Sequence, residues 1–241
     1  MVNQDEGLNS GDEIVGTFQE IQVGAAGESA SNLKNKIRMA VGILGVLIIG
    51  VLAVVFYNKS KAEKEQEASA ALARVRTLYE GGDYKQALSG DPAKLIRETP
   101  LMGLQEIVEQ FGSTENGKVA ALYAGNSLIS LKKHAEALGY YEKALGSSSM
   151  EVSVGATIGI AVCKEEQKEY DNAGEYYGKA AQLTLQPTLK DKYKLYAALS
   201  FEKAGNKEKA EKLYREILHG ESMEYIGESK SGLTRLGMIV E

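Results

Sequence analysis

Residues 125–145 read GNSLISLKKHAEALGYYEKAL, residues 161–181 read AVCKEEQKEYDNAGEYYGKAA, and residues 198–218 read ALSFEKAGNKEKAEKLYREIL. The three stretches share one skeleton. A small residue (Gly125, Ala161, Ala198) is followed twelve positions on by an alanine (Ala137, Ala173, Ala210). A tyrosine comes four residues later (Tyr141, Tyr177, Tyr214), and Ala144, Ala180 or Ile217 three after that. The intervals between successive alanines are 36 and 37 residues. Leu131-Lys132-Lys133, Gln167-Lys168-Glu169 and Ala204-Gly205-Asn206 fall between the two halves, so each stretch reads as helix, turn, helix. The small residue lets the second helix approach closely, and the alanine fills the facing position. The tyrosine one turn on extends the same stripe. One hairpin cannot bury such faces alone, whereas stacked neighbours can.

Outward from the repeats, Gly82-Asp83-Tyr84-Lys85-Gln86-Ala87 reads as the helix-to-helix junction of a degenerate first repeat, which Ser89-Gly90-Asp91-Pro92 and Pro100 interrupt. Leu101 to Phe111 reads as a further helix, with Leu104, Ile107, Val108 and Phe111 on one face. Glu221 to Val240 reads as a closing helix carrying Met223, Ile226, Leu233, Leu236 and Val240. A solenoid needs such a cap over its last face.

Met39 to Tyr57 reads MAVGILGVLIIGVLAVVFY, 19 residues without a charge. At about 1.5 Å per residue it covers about 28 Å, close to the hydrocarbon thickness of a bilayer. Its 12 Val, Ile, Leu and Phe residues favour insertion, by roughly 4–7 kcal/mol in total. A buried core helix of that length would show a polar stripe. A cleaved signal peptide would have a shorter apolar core and a small-residue cleavage site, and none follows Phe56. Lys34, Lys36 and Arg38 on one side are matched by Lys59, Lys61 and Lys64 on the other, so flanking charge leaves the orientation open.

The expected organisation is therefore an all-α chain. Residues 1–36 form an acidic, disordered tail, 37–57 a transmembrane helix and 58–80 a charged helical stalk. Residues 81–117 form the degenerate repeat, 118–220 three full repeats and 221–241 a capping helix. Within the tail, Ile14 to Val23 is the one stretch with the composition for a short strand or a helix induced by a partner, and a solvated tail is the expected state.

Composition narrows the function classes. The chain has 241 residues, 44% of them hydrophobic and 25% charged, with a net charge of -5. This balance suits a folded protein and disfavours nucleic-acid binding, which needs a basic face. A single cysteine, Cys163, excludes an internal disulfide, and only His134 and His219 are available as histidine ligands. Cys163 sits in an apolar helix and reads as a buried small residue. No glycine-rich phosphate loop with its strand and lysine is present. The chain reads as a non-enzyme with no cofactor and no metal.

The repeat pattern resembles the tetratricopeptide repeat (TPR) over residues 118–151, 154–187 and 191–220. Tyr140-Tyr141-Glu142-Lys143-Ala144-Leu145 is similar to that family's second helix. The spacing exceeds the family's usual 34 residues, and the excess is assigned to Ser147-Ser148-Ser149 and Leu185-Gln186-Pro187. The family's early tryptophan and terminal proline are not kept. The whole plan resembles single-span TPR proteins of bacterial envelopes, the YfgM-like family, which includes an ancillary subunit of the SecYEG export channel. Val108-Glu109-Gln110-Phe111-Gly112-Ser113-Thr114 and Ala120-Ala121-Leu122-Tyr123-Ala124-Gly125 also carry that likeness.

The resemblance implies an inner-membrane, single-pass protein with a cytoplasmic tail and periplasmic repeats, acting as a protein-binding scaffold in export or chaperone hand-over. The alternative is a structural accessory subunit of another membrane complex, energy-transducing or cell-division. It also implies a groove lined by the first helices. By alignment this holds Leu122, Asn126, Ile129, Ile158, Val162, Glu165, Leu195, Leu199 and Glu202. Those positions are apolar and acidic, so hydrophobic or helix-type recognition is expected there instead of carboxylate capture.

Overall fold

The computed structural model describes residues 10–96, 99–220 and 222–239. Among them are ten helices and one antiparallel pair of strands. The chain divides into two compact units, Met1–Ser60 and Lys61–Glu241.

Helix α1 is assigned over Ser10–Glu80. The side chains described begin at Asn32, so the expectation of a disordered tail falls almost wholly outside them, and residues 1–9 lie outside the described residues altogether. No proline occurs before Pro92, so nothing in the sequence breaks a helix once the apolar stretch has nucleated it. In the first unit, every large apolar side chain from Met39 to Phe56 is more than half exposed. It is the one helix among the described residues long and apolar enough to cross a membrane.

In the second unit the repeats take the expected form. The three pairs are α4 (Glu115–Ser130) with α5 (His134–Ala144), α6 (Met150–Glu166) with α7 (Tyr170–Leu183), and α8 (Pro187–Lys203) with α9 (Lys207–Leu218). All twelve skeleton residues are buried. The first helices begin three or four residues earlier than the sequence reading places them. Thr114 explains one such start: its Oγ1 accepts a hydrogen bond from the Gly117 N–H at 2.9 Å and donates to the Phe111 carbonyl at 2.8 Å.

The pairs turn the same way. Lys132, Lys168 and Gly205 have φ of 60°, 62° and 80°, each five residues before the skeleton alanine. In each turn the next N–H reaches back to the carbonyl five residues earlier: Lys133 to Leu128, Glu169 to Lys164, Asn206 to Phe201. This is the Schellman closure of a helix end. A side chain in that left-handed well is strained, and glycine is not. Lys132→Gly and Lys168→Gly are each expected to stabilise by about 0.5–1 kcal/mol. Together they should raise the melting midpoint by roughly 2–8 °C, read by calorimetry on the full chain; a lower midpoint would contradict the turn geometry.

The degenerate repeat differs from expectation in two ways. Its first helix is the end of α1, which the sequence reading assigns to the stalk: Ala68, Ala71, Leu72 and Val75 are buried in the same core as Ala87 and Leu88. Val75 and Ala87 keep the twelve-residue interval, and Gly82 (φ 80°) occupies the turn position. The second helix, α2 (Tyr84–Ser89), is then cut short. Strands β1 (Gly90–Ile96) and β2 (Thr99–Met102) follow, pairing Gly90 with Met102 and Ile96 with Thr99. Gly90 has φ 71°, and a Cβ there would lie 2.4 Å from the Leu101 carbonyl oxygen and the Gly103 nitrogen. Only glycine fits, and Pro92 bars further helix. The tyrosine position of the other repeats is therefore held here by Asp91, in a strand. Helix α3 (Leu104–Phe111) returns to the core through Leu104, Ile107, Val108 and Phe111.

The closing helix, α10 (Ile226–Arg235), is shorter than expected. Leu233 and Leu236 are buried, but Met223 precedes the helix and is 86% exposed, and Val240 lies outside the described residues.

Candidate functional site

The first helices of the full repeats bear the candidate groove. Leu122, Asn126 and Ile129 lie on α4, Ile158, Val162 and Glu165 on α6, and Leu195, Leu199 and Glu202 on α8. Eight are half-buried, whereas Leu195 is 5% exposed and belongs to the core around Tyr214 and Phe201. The remaining apolar members pack by one side onto the two cores.

The three polar members are tied to the repeat tyrosines. The Tyr141 hydroxyl donates to Asn126 Oδ1 at 2.9 Å, Tyr177 to Glu165 Oε2 at 3.0 Å, and Tyr214 to Glu202 Oε2 at 2.6 Å. Asn126 also donates to the Tyr79 hydroxyl at 3.1 Å, linking the degenerate repeat to the first full one. Glu165 accepts from Ser200 and Lys203 of the next pair. Arg235 grips Glu202 with two nitrogens, at 2.7 and 2.8 Å, and so ties α10 to α8. Burial raises the pKa of all three tyrosines, so their hydroxyls remain donors throughout the physiological range. Hydrogen bonds from Arg235 lower that of Glu202. These polar groups join neighbouring repeats and leave the apolar stripe as the free chemistry of this face.

A second stitch lies at the start of α4. Glu115 accepts from the Ser147 hydroxyl at 2.7 Å, from Lys118 Nζ at 2.9 Å and from the Ser148 N–H at 2.9 Å. The Ser147 and Lys118 bonds, in that order, hold its pKa down at about 2. An unfolded glutamate titrates near 4.3. The folded value is the lower one, so this stabilisation is full above about pH 5 and is lost as pH falls towards about 2. Between those limits the wild-type melting midpoint should fall further than that of Glu115→Gln. Parallel curves for the two proteins would contradict the stitch.

The other reactive groups are quiet. Cys163 is fully buried, and burial pushes its thiol up to about 11. His134 is half-buried at the start of α5, and His219 is exposed at the end of α9. Among the described residues no cluster of three metal-ligating side chains occurs.

One feature escaped the sequence reading: a cleft along α7, α8 and α9 lined by Lys190, Lys194, Lys209, Lys212 and Arg215. Its signal was present as Lys190/Lys194 and Lys209/Lys212, spaced four and three residues apart on two helices.

The family model of the tetratricopeptide repeat matches residues 194–219, from the middle of α8 through α9. The skeleton residues Ala198, Ala210, Tyr214 and Ile217 lie inside that match. No curated protein matches the chain. The fold is thus all-α, with one helix of membrane-spanning character and a TPR-like stack of hairpins.

Proposed function

We propose that this protein is a membrane-anchored scaffold that holds other proteins through its repeats. The observation that carries the reading is the joining of one exposed apolar helix, Met39 to Phe56, to a repeat array built for stacking. Such an array presents a long surface without needing catalytic groups. The docking stripe is formed by Leu122, Ile129, Ile158, Val162 and Leu199, with Asn126, Glu165 and Glu202 setting the spacing of the repeats and Leu195 supporting α8 from within.

The likeness to the YfgM-like family supports a place in the bacterial inner membrane, tail in the cytoplasm and repeats in the periplasm. There the partners would be factors of protein export or folding. Crosslinking in cells from a photoreactive residue at Ile158, followed by purification in detergent, tests both points. Capture of export or folding factors is expected. Crosslinks confined to subunits of an energy-transducing or cell-division complex would overturn the assignment. Protease added to intact spheroplasts should digest the repeats and spare the tail.

A further inference from the structure

The chain is acidic overall, with a net charge of -5, yet cations gather in one cleft. It lies between α7 and α9, the second helices of two neighbouring pairs, with α8 beneath. Its two lobes, of about 870 and 470 Å3, share Lys190, Lys194 and Lys212. Arg215 and His219 line one lobe, and Lys209 the other. Three of these cations have carboxylate partners: Lys194 with Glu216 at 2.9 Å, Lys209 with Glu175 at 2.6 Å and Arg215 with Glu211 at 2.8 Å. Lys190 and Lys212 are exposed and have no carboxylate partner among the described residues. Between the cations lie Glu175, Glu216 and the buried Asp191, and the rest of the wall is smooth or apolar. Gly174 and Gly178 lie one turn apart on α7, and Leu185 at the rim is 82% exposed.

We propose that this cleft holds an acidic, extended segment of a partner protein. Charge complementarity selects the sign, and geometry selects the form. Lys209 and His219 are ten residues apart on α9, about 15 Å along the helix. An extended chain rises about 3.3 Å per residue, so four to five residues span that length. Alternate residues of such a chain are about 6.6 Å apart. Lys190 and Lys194 are separated by a rise of about 6 Å, so a carboxylate at Lys190 and one exchanging with Glu216 at Lys194 fall on alternate residues. The cations are spread along the cleft, which suits a run of acids better than a single terminal carboxylate. A bilayer surface fits poorly: the cations lie inside a cleft that a flat anionic sheet cannot enter, whereas a single extended strand can reach Lys190 and Lys212 while Glu175 stays paired with Lys209.

The proposal rests on the scaffold reading but uses a different face from the first-helix stripe. The test uses the full chain in non-ionic detergent and a fluorescent hexapeptide alternating glutamate with leucine. Saturable binding by anisotropy is expected. It should weaken about tenfold in the double variant Lys190→Glu, Lys212→Glu, and also weaken when salt rises from about 50 to about 300 mM. Lys85→Glu, exposed on α2, should leave it unchanged. Both double-variant positions are exposed, and a thermal melt checks that the variant is folded. Equal binding by wild type and double variant overturns the proposal. So does equal binding of the glutamine–leucine peptide, or displacement of the peptide by soluble glycerol phosphate, the anionic lipid headgroup without its tails. Loss of this binding with crosslinks from Ile158 intact would remove the cleft alone, whereas loss of both would remove the scaffold.

Discussion

Full-length protein carrying Leu47→Asp and Val51→Asp is expected in the aqueous fraction after cell breakage, without detergent. The two positions lie one turn apart in the middle of the apolar stretch and are 60% and 62% exposed. Each replacement exchanges a residue that favours insertion by about 0.5 kcal/mol for one that opposes it by about 3. The pair therefore removes about 7 kcal/mol, enough to cancel the roughly 4–7 kcal/mol that the stretch supplies. Wild type should need detergent. Recovery of the wild type in the aqueous fraction would refute membrane anchoring, and with it the scaffold's address. The repeats of the double variant should still melt as in wild type, because none of the residues from Met39 to Phe56 contributes to either core.

Gly159→Val should produce a large loss of stability within the repeats. A Cβ at Gly159 would lie 2.3 Å from Cε1 and Cζ of Tyr141, and one at Gly125 would lie 2.7 Å from the same ring. The ring is clamped between two glycines, one from its own pair and one from the next. Its hydroxyl is fixed by Asn126 at 2.9 Å, so it has no free direction in which to give way. The cost is roughly 3 kcal/mol, and the melting midpoint should drop by roughly 6–12 °C. Gly139→Ala is the control, since nothing lies within 4 Å of a Cβ there. In a Tyr141→Ala background the Gly159→Val penalty should shrink below about 1 kcal/mol. A penalty that is unchanged by removing the ring would show that the clash is elsewhere. The analogous contact of Gly232 with Tyr214, also 2.3 Å, makes the capping helix the next repeat's stand-in.

The repeat skeleton was legible because each of its positions is dictated by one short-range condition. Two helices within twelve residues of each other must cross at a small side chain, so Gly125 with Ala137, Ala161 with Ala173 and Ala198 with Ala210 announce themselves. The degenerate repeat hid for the same reason. Val75 and Ala87 keep the interval, but Asp91 takes the tyrosine's place and Gly90 turns the chain into a strand.

By itself, then, the amino-acid order determined the apolar stretch, the hairpin period, the turn positions and the burial of Cys163, all of them set by neighbours within a few helical turns. Only the tertiary structure decided what joins one repeat to the next. Glu165 meets Ser200, 35 residues away, and Glu202 meets Arg235, 33 away. It also decided that four lysines from α8 and α9 line one cleft. Such pairings depend on the superhelical offset between successive pairs, which accumulates from side-chain packing across the stack and leaves no periodic mark in the chain.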